Sequence, residues 1–246
     1  MDLFPLFGLD AWQWALACLI VAFATIVQFR MGVGFGLTSA PLLALFAPEL
    51  VPVPVIILTL FTASWAMMHT WNGVDWREVT WSLSGRLTGA LIGLALLTAI
   101  TSQKQFFLVF GAFIALAVIM SVAGLRFRFS RPLLYVMGTI SGLSASITSV
   151  GGPPMAIAYQ DQSPAHARPN MSAYFGLGCV VLVVVLGAGG HIGAADLWRT
   201  AVLVPAFFVG LALSPLFTVL LDRNFRKVLL GISAAAATML IWRGLA

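Results

Sequence analysis

Charge is scarce in this chain. Aspartate, glutamate, lysine and arginine make up 9% of its 246 residues, against about 25% in an ordinary soluble domain. With 61% of the residues hydrophobic, no soluble fold of this size could hide so much apolar surface. Cysteine is almost missing: Cys18 and Cys179 both fall inside apolar runs, which excludes a readable disulfide framework and fits two inert core residues. Met1–Asp10 holds Asp2 and Asp10 but no lysine or arginine. A cleaved signal peptide carries a basic leading segment, so the first apolar run is expected to stay as a helix. No nucleotide-binding motif, no His-x-x-x-His pair and no metal-ligating cluster is present, so neither ATP use nor a cofactor or metal is expected. Low-complexity stretches and boundaries between soluble domains are also missing.

What is present is a series of apolar runs, and they read as an all-α, polytopic membrane protein. Trp12–Arg30, Thr80–Ile100 and Phe106–Gly124 are about long enough to span. Val51–Met68 reads as a helix with Pro52 and Pro54 in its first turn, where proline is tolerated. Met171–Leu186, Leu197–Leu221 and Val228–Trp242 complete the set, with Pro205 and Pro215 expected to bend the second of these. His69–Val79 and Gln160–Asn170 read as polar loops, which makes His166 a solvated loop residue. His69 and His191 read as interface residues at helix ends. The tryptophans lie mostly near segment ends, as an aromatic belt does.

Two runs break this pattern. The first is Gly32-Val33-Gly34-Phe35-Gly36-Leu37-Thr38-Ser39-Ala40-Pro41-Leu42-Leu43, from which a short apolar piece, Thr38–Phe46, is expected to form a short helix. The second is Ser146-Ile147-Thr148-Ser149-Val150-Gly151-Gly152-Pro153-Pro154, between Leu133–Ala145 and Met155–Tyr159. Lipid cannot hydrogen-bond an interrupted backbone, so such chain survives at membrane depth only where protein buries it or a watery cavity meets it. Paired interruptions in matching positions of two halves point to a transporter's substrate site. A half-helix N-terminus there presents free N–H groups and the positive end of its dipole, which favours an anion. Thr38, Ser39, Thr148 and Ser149 add hydroxyls, and neither motif contains a carboxylate. The candidate substrate-binding set is Gly32, Gly34, Gly36, Thr38, Ser39, Pro41, Thr148, Ser149, Gly151, Gly152, Pro153 and Pro154, with Gln28 and Arg30. Gln28 is open between facing the site and satisfying a helix contact, and Arg30 between the site and an interfacial anchor.

The two halves repeat one order: helix, broken motif, short helix, three further helices. Residues 1–125 form the first repeat, 126–132 a cytoplasmic linker and 133–246 the second repeat. If each motif turns the chain back, Arg77, Arg86, Arg126, Arg128, Arg131, Arg168, Arg223, Arg226 and Lys227 share one side, while Lys104, Arg199 and Arg243 fall opposite. Treating the motifs as kinks within one crossing divides the charges more evenly, so the positive-inside rule favours the turn-back and makes the repeats inverted in topology. Basic residues in short loops report orientation, not nucleic-acid binding.

The pattern Gly32-x-Gly34-x-Gly36 with Pro41, then Val150-Gly151-Gly152-Pro153-Pro154 after a serine-rich approach, resembles the TauE/SafE sulfite-exporter family of membrane permeases. Asn72-Gly73-Val74-Asp75-Trp76 and Leu221-Asp222-Arg223-Asn224-Phe225-Arg226-Lys227 are similar to that family too. Phe35 departs from a commoner Gly-Gly-Gly form. The resemblance implies a substrate among sulfite, organosulfonates and related sulfur oxyanions. The expected protein is therefore a bacterial inner-membrane secondary transporter, working by alternating access on a small anion in a lipid bilayer. A coupling proton or other ion is left unassigned. The rival readings are an anion channel and a membrane enzyme using Ser39 or Ser149, for which neither motif offers a histidine base.

Overall fold

In a computed structural model of the chain, residues 8–31, 34–217 and 223–246 are described, the side chains of residues 30–31 and 223–226 excepted. Among them only helices occur, without a strand. In chain order they are α1 (Ala11–Met31), α2 (Phe35–Phe46), α3 (Val53–Thr70), α4 (Trp76–Ala99), α5 (Gln103–Val122), α6 (Arg131–Thr148), α7 (Gly152–Tyr159), α8 (Pro164–Ala188), α9 (Ala194–Leu213) and α10 (Arg223–Leu245). Among the described residues seven stretches, formed by all or most of α1, α3, α4, α5, α8, α9 and α10, are long and apolar enough to cross a bilayer. The 12 residues of α2 and the 8 of α7 give about 18 and 12 Å of helix, short of a ~30 Å hydrocarbon core. The C-terminal part of α6 buries four hydroxyls, those of Ser141, Ser144, Ser146 and Thr148.

Local chemistry sets the boundaries. Asp75 caps α4 by accepting from the N–H groups of Arg77 and Glu78, and Ser102 and Ser130 cap α5 and α6 in the same way. The break before α2 ends at Gly34, whose φ of 136° suits glycine, so α2 begins earlier than Thr38. Pro164 opens α8, its preset φ and missing N–H costing nothing at a first turn. Most of the expected Gln160–Asn170 loop is therefore helix, and His166 sits on α8 instead of in a solvated loop. Pro215 falls in the 3-10 turn Ser214–Phe217 that ends α9. Inside α2, Pro41 leaves the carbonyl of Leu37 without its helical donor. The hydroxyl of Ser233 on α10 lies 3.0 Å from it and shares its one hydrogen between this carbonyl and that of Leu229 at 2.9 Å.

The main packing pairs are α4 on α6, α1 on α9, α3 on α8 and α5 on α10. Glycines make the tightest of these. A Cβ at Gly85 or Gly89 would strike the carbonyls of Tyr135 or Thr139, and one at Gly138 or Gly142 those of Ser82 or Arg86. Small residues four apart on two facing helices let the backbones touch. Exchanging α1–α5 for α6–α10 maps this pairing scheme onto itself.

Contacts at the helix ends fix the path of each half. Gln13, near the start of α1, donates to the Phe46 carbonyl at the end of α2, 2.8 Å away. Gln160, just past α7, donates to the Leu125 carbonyl at 2.6 Å, and the Phe129 ring, just before α6, lies 5.3 Å from that of Tyr159. In both halves the short helix thus returns to the level at which the preceding helix set out. Lys104 meets the carbonyl of Ala246 and Arg243 that of Leu45, at the end shared with Gln13. The opposite end gathers Glu78, Tyr159, His166 and Asn170.

Candidate functional site

The two broken motifs meet. A Cβ on Gly36 would collide with the Ser149 carbonyl, so only glycine lets the first turn of α2 approach the turn between α6 and α7. Ser149 ends α6 at a φ of 63°, and its hydroxyl donates to the Pro52 carbonyl at 2.8 Å. Ser144 donates to Val150 O at 2.7 Å and Ser141 to Gly151 O at 2.6 Å. The serines before the break therefore tie down the carbonyls of the break itself, the accounting that a backbone in lipid demands.

Beside this junction lies a cavity of about 110 Å³, room for several waters or one small oxyanion. Of the candidate set, Gln28, Gly34, Gly36, Thr38, Ser149, Gly151, Gly152 and Pro153 line it. Ser39, Pro41, Thr148 and Pro154 are buried elsewhere in the same segments. Ser39 donates back to Phe35 O at 2.7 Å, and Thr148 donates to Ser144 O at 2.8 Å. Gly32 lies outside the described residues, as do Leu221 and Asp222 of the terminal motif and the side chain of Arg30. Gln28 joins both of its readings: it lines the cavity while its Oε1 accepts from the N–H of Phe35 at 2.9 Å, pinning the start of α2 to α1.

The cation of the cavity is Arg86, grouped with the loop arginines by the charge count. It lies about 15 Å along α4 from Trp76 and is 2% exposed. The glycines of the α4–α6 contact draw this stretch into the interior. Gly178 on α8 leaves room for the guanidinium, since a Cβ there would strike Arg86 Nε and Cδ. One terminal nitrogen, Nη1, donates to the Ser141 hydroxyl at 3.2 Å, and the guanidinium carbon sits 4.9 Å from the Tyr174 ring centre. Among the described residues no carboxylate pairs with it, and its Nε has no hydrogen-bond partner.

Thr38 is the second unsatisfied group. Its hydroxyl is buried, lines the cavity and lacks a partner, whereas those of Thr59, Ser121 and Ser149 are spent on carbonyls. The backbone contributes unequally. The N–H groups of Gly36 and Leu37 open α2 and find no acceptor among the described residues. At α7, Pro153 and Pro154 have no N–H, so only Gly151 and Gly152 present one. Sequence reasoning missed Arg86. Its signal was an arginine inside an apolar run of spanning length, with glycines at 85, 89 and 93 marking a buried face.

The fold and this cavity define a polytopic α-helical membrane protein built around an interior cationic site. The family model for Sulfite exporter TauE/SafE matches residues 17–240. The chain belongs to that family, whose members are membrane-spanning transporters. No curated protein and no solved structure matches it.

Proposed function

We propose that this protein is a secondary transporter for a small sulfur oxyanion or organosulfonate, which binds in the cavity between α2, α4 and α7. The observation that carries this reading is Arg86: a buried, permanently charged side chain with a free donor, on a cavity that also holds a free threonine hydroxyl. A buried charge without a counter-ion is costly, and an anion in the cavity would remove that cost. Arg86 supplies the charge, and Thr38 with the N–H groups of Gly36 and Leu37 completes the shell that replaces water. The glycines keep that backbone bare.

Halves 1–125 and 133–246 act as inverted repeats joined by 126–132, moving against each other to open the site to alternate sides. The exchange-symmetric packing and the return of α2 and α7 to opposite ends support this. With Arg86 in the interior, Arg77, Arg126, Arg128, Arg131, Arg168, Arg223, Arg226 and Lys227 still outnumber Lys104, Arg199 and Arg243 at the other end. The richer end is then cytoplasmic and the membrane a bacterial inner membrane. The test is counterflow of labelled sulfite or sulfate into liposomes holding the purified protein. Saturable counterflow that falls at least tenfold in Arg86→Gln is expected. Wild-type counterflow by that variant would overturn the assignment.

A further inference from the structure

A second polar cluster sits at the far end of the short helix that borders the cavity. Glu78 on α4 accepts from three groups: the Tyr159 hydroxyl at the end of α7 at 3.2 Å, the amide of Asn170 on α8 at 3.1 Å, and Nε2 of His166 on α8 at 3.0 Å. Asn170 in turn accepts from the N–H of Asp75 at 2.7 Å. The Glu78 side chain is 15% exposed and that of His166 36%, so the carboxylate is sheltered while the imidazole reaches water. The cluster ties α4, which carries Arg86, to α7, whose first turn lines the cavity.

We infer that the Glu78–His166 pair is a proton-binding site linked to the anion site, with the proton and the anion favouring each other's binding; the inference rests on the function proposed above. Nε2 keeps its hydrogen toward Glu78, so the titrating proton adds at Nδ1. The cluster passes from one net negative charge to zero, and the imidazole–carboxylate hydrogen bond becomes an ion pair. Other titratable groups facing the cluster are Asp75 at the N-cap of α4, Tyr159 on α7 and Tyr174 on α8. Asp75 is engaged by its own helix N-terminus, and burial together with the neighbouring Glu78 carboxylate pushes the Tyr159 hydroxyl well above the usual phenol range. Arg77, Arg126, Arg128 and Arg168 are exposed and form no ion pair with Glu78 among the described residues.

The sign follows from Coulomb's law. Glu78 precedes Arg86 on α4 by eight residues, a rise of about 12 Å. One unit of charge at about 12 Å, through an effective dielectric of about 20, changes the binding constant of a monovalent anion by roughly tenfold. Protonation adds positive charge, so acid tightens the anion. By reciprocity the bound anion tightens the proton equally. His69 and His191 offer no such link: His69 contacts a backbone carbonyl and His191 a threonine hydroxyl at helix ends.

The test measures the Kd of methanesulfonate, whose charge is constant between pH 5.5 and 8.0, on the purified full-length protein. The expected result is about tenfold tighter binding at pH 5.5, with His166→Gln binding the probe but losing that difference. A second measurement needs only the wild type: calorimetry in two buffers of different ionisation heat reads proton uptake when the anion binds near pH 6.5. Pronounced uptake supports the link. A wild-type Kd independent of pH, zero uptake, or a His166→Gln variant that keeps the wild-type difference overturns it while leaving the transporter reading intact. If the wild type binds no sulfonate, sulfite or sulfate at either pH, the proposed function falls, and this inference with it.

Discussion

Replacing Arg86 by methionine removes the guanidinium but keeps most of its length and volume. In the empty protein the guanidinium has one weak side-chain hydrogen bond, an aromatic face and an unsatisfied Nε. Exchanging buried ionic groups for apolar ones of similar volume is often neutral or stabilising by about 1–4 kcal/mol. The empty Arg86→Met protein should therefore melt at or above the wild-type temperature, although a buried cation is gone. Anion binding should respond in the opposite direction. A saturating anion at 100 times its Kd stabilises by about 2.7 kcal/mol, and a chain of this length gains roughly 2–4 °C per kcal/mol. The wild type should then shift upward by about 5–10 °C. Loss of the charged hydrogen bonds, about 1.5–3 kcal/mol each, raises Kd on the order of 100-fold. The same anion concentration then contributes only about 0.4 kcal/mol, a shift of roughly 1 °C. Scanning fluorimetry in detergent with sulfite, sulfate and methanesulfonate reads both numbers. A variant that melts well below wild type when empty, or that keeps the full anion shift, would refute the reasoning, because Arg86 would then be a structural strut.

Two further outcomes follow from the packing. Gly152 faces open space on the cavity wall, so Gly152→Leu should fill the site and abolish counterflow without lowering the melting temperature; Gly34→Leu is the less clean block, because the φ of 136° there strains any side chain. Ser233→Ala removes the hydroxyl that the Leu37 carbonyl behind Pro41 shares with the Leu229 carbonyl and should cost about 1 kcal/mol, read as a lower melting temperature with anion affinity little changed.

The architecture was legible wherever a single physical constraint acted alone. Apolar length marked the spanning helices, and glycine with proline marked the two breaks, because lipid forbids an unsatisfied backbone. The return of α2 and α7 could be anticipated from the basic loops. The site was harder to read, because hydroxyls in a motif say nothing about where they are spent. Ser39 and Thr148 bond their own helices, and of the motif hydroxyls on the cavity only Thr38 is left over. Arg86 was hidden by the charge count behind the proposed orientation, which grouped it with the loop arginines. His166 was obscured by Pro164 and Pro169, which look like loop formers but lie at the start and within α8. Its partner Glu78 is far away in sequence, and only the fold brings the two together.

In the proposed site the two breaks would not serve an anion equally, and the difference lies in Pro153. The opening turn of α2 exposes N–H groups at Gly36 and Leu37, but α7 opens Gly-Pro-Pro and gives up the donors at its second and third positions. The empty cavity gains by this, since each buried N–H without an acceptor costs about 1–3 kcal/mol. Pro153→Ala restores one such donor on the cavity wall, at a helix N-terminus where an anion is favoured. The empty variant should therefore be less stable than wild type by about that amount. It should also bind the anion more tightly, recovering about 0.5–1.5 kcal/mol through the added hydrogen bond, or roughly 2- to 12-fold in Kd. Paired melting curves and isothermal titration with sulfate test both halves of the argument. If Kd is unchanged or weaker while the empty protein is destabilised, the first turn of α7 does not face the bound anion, and the cradle belongs to α2 and Arg86 alone.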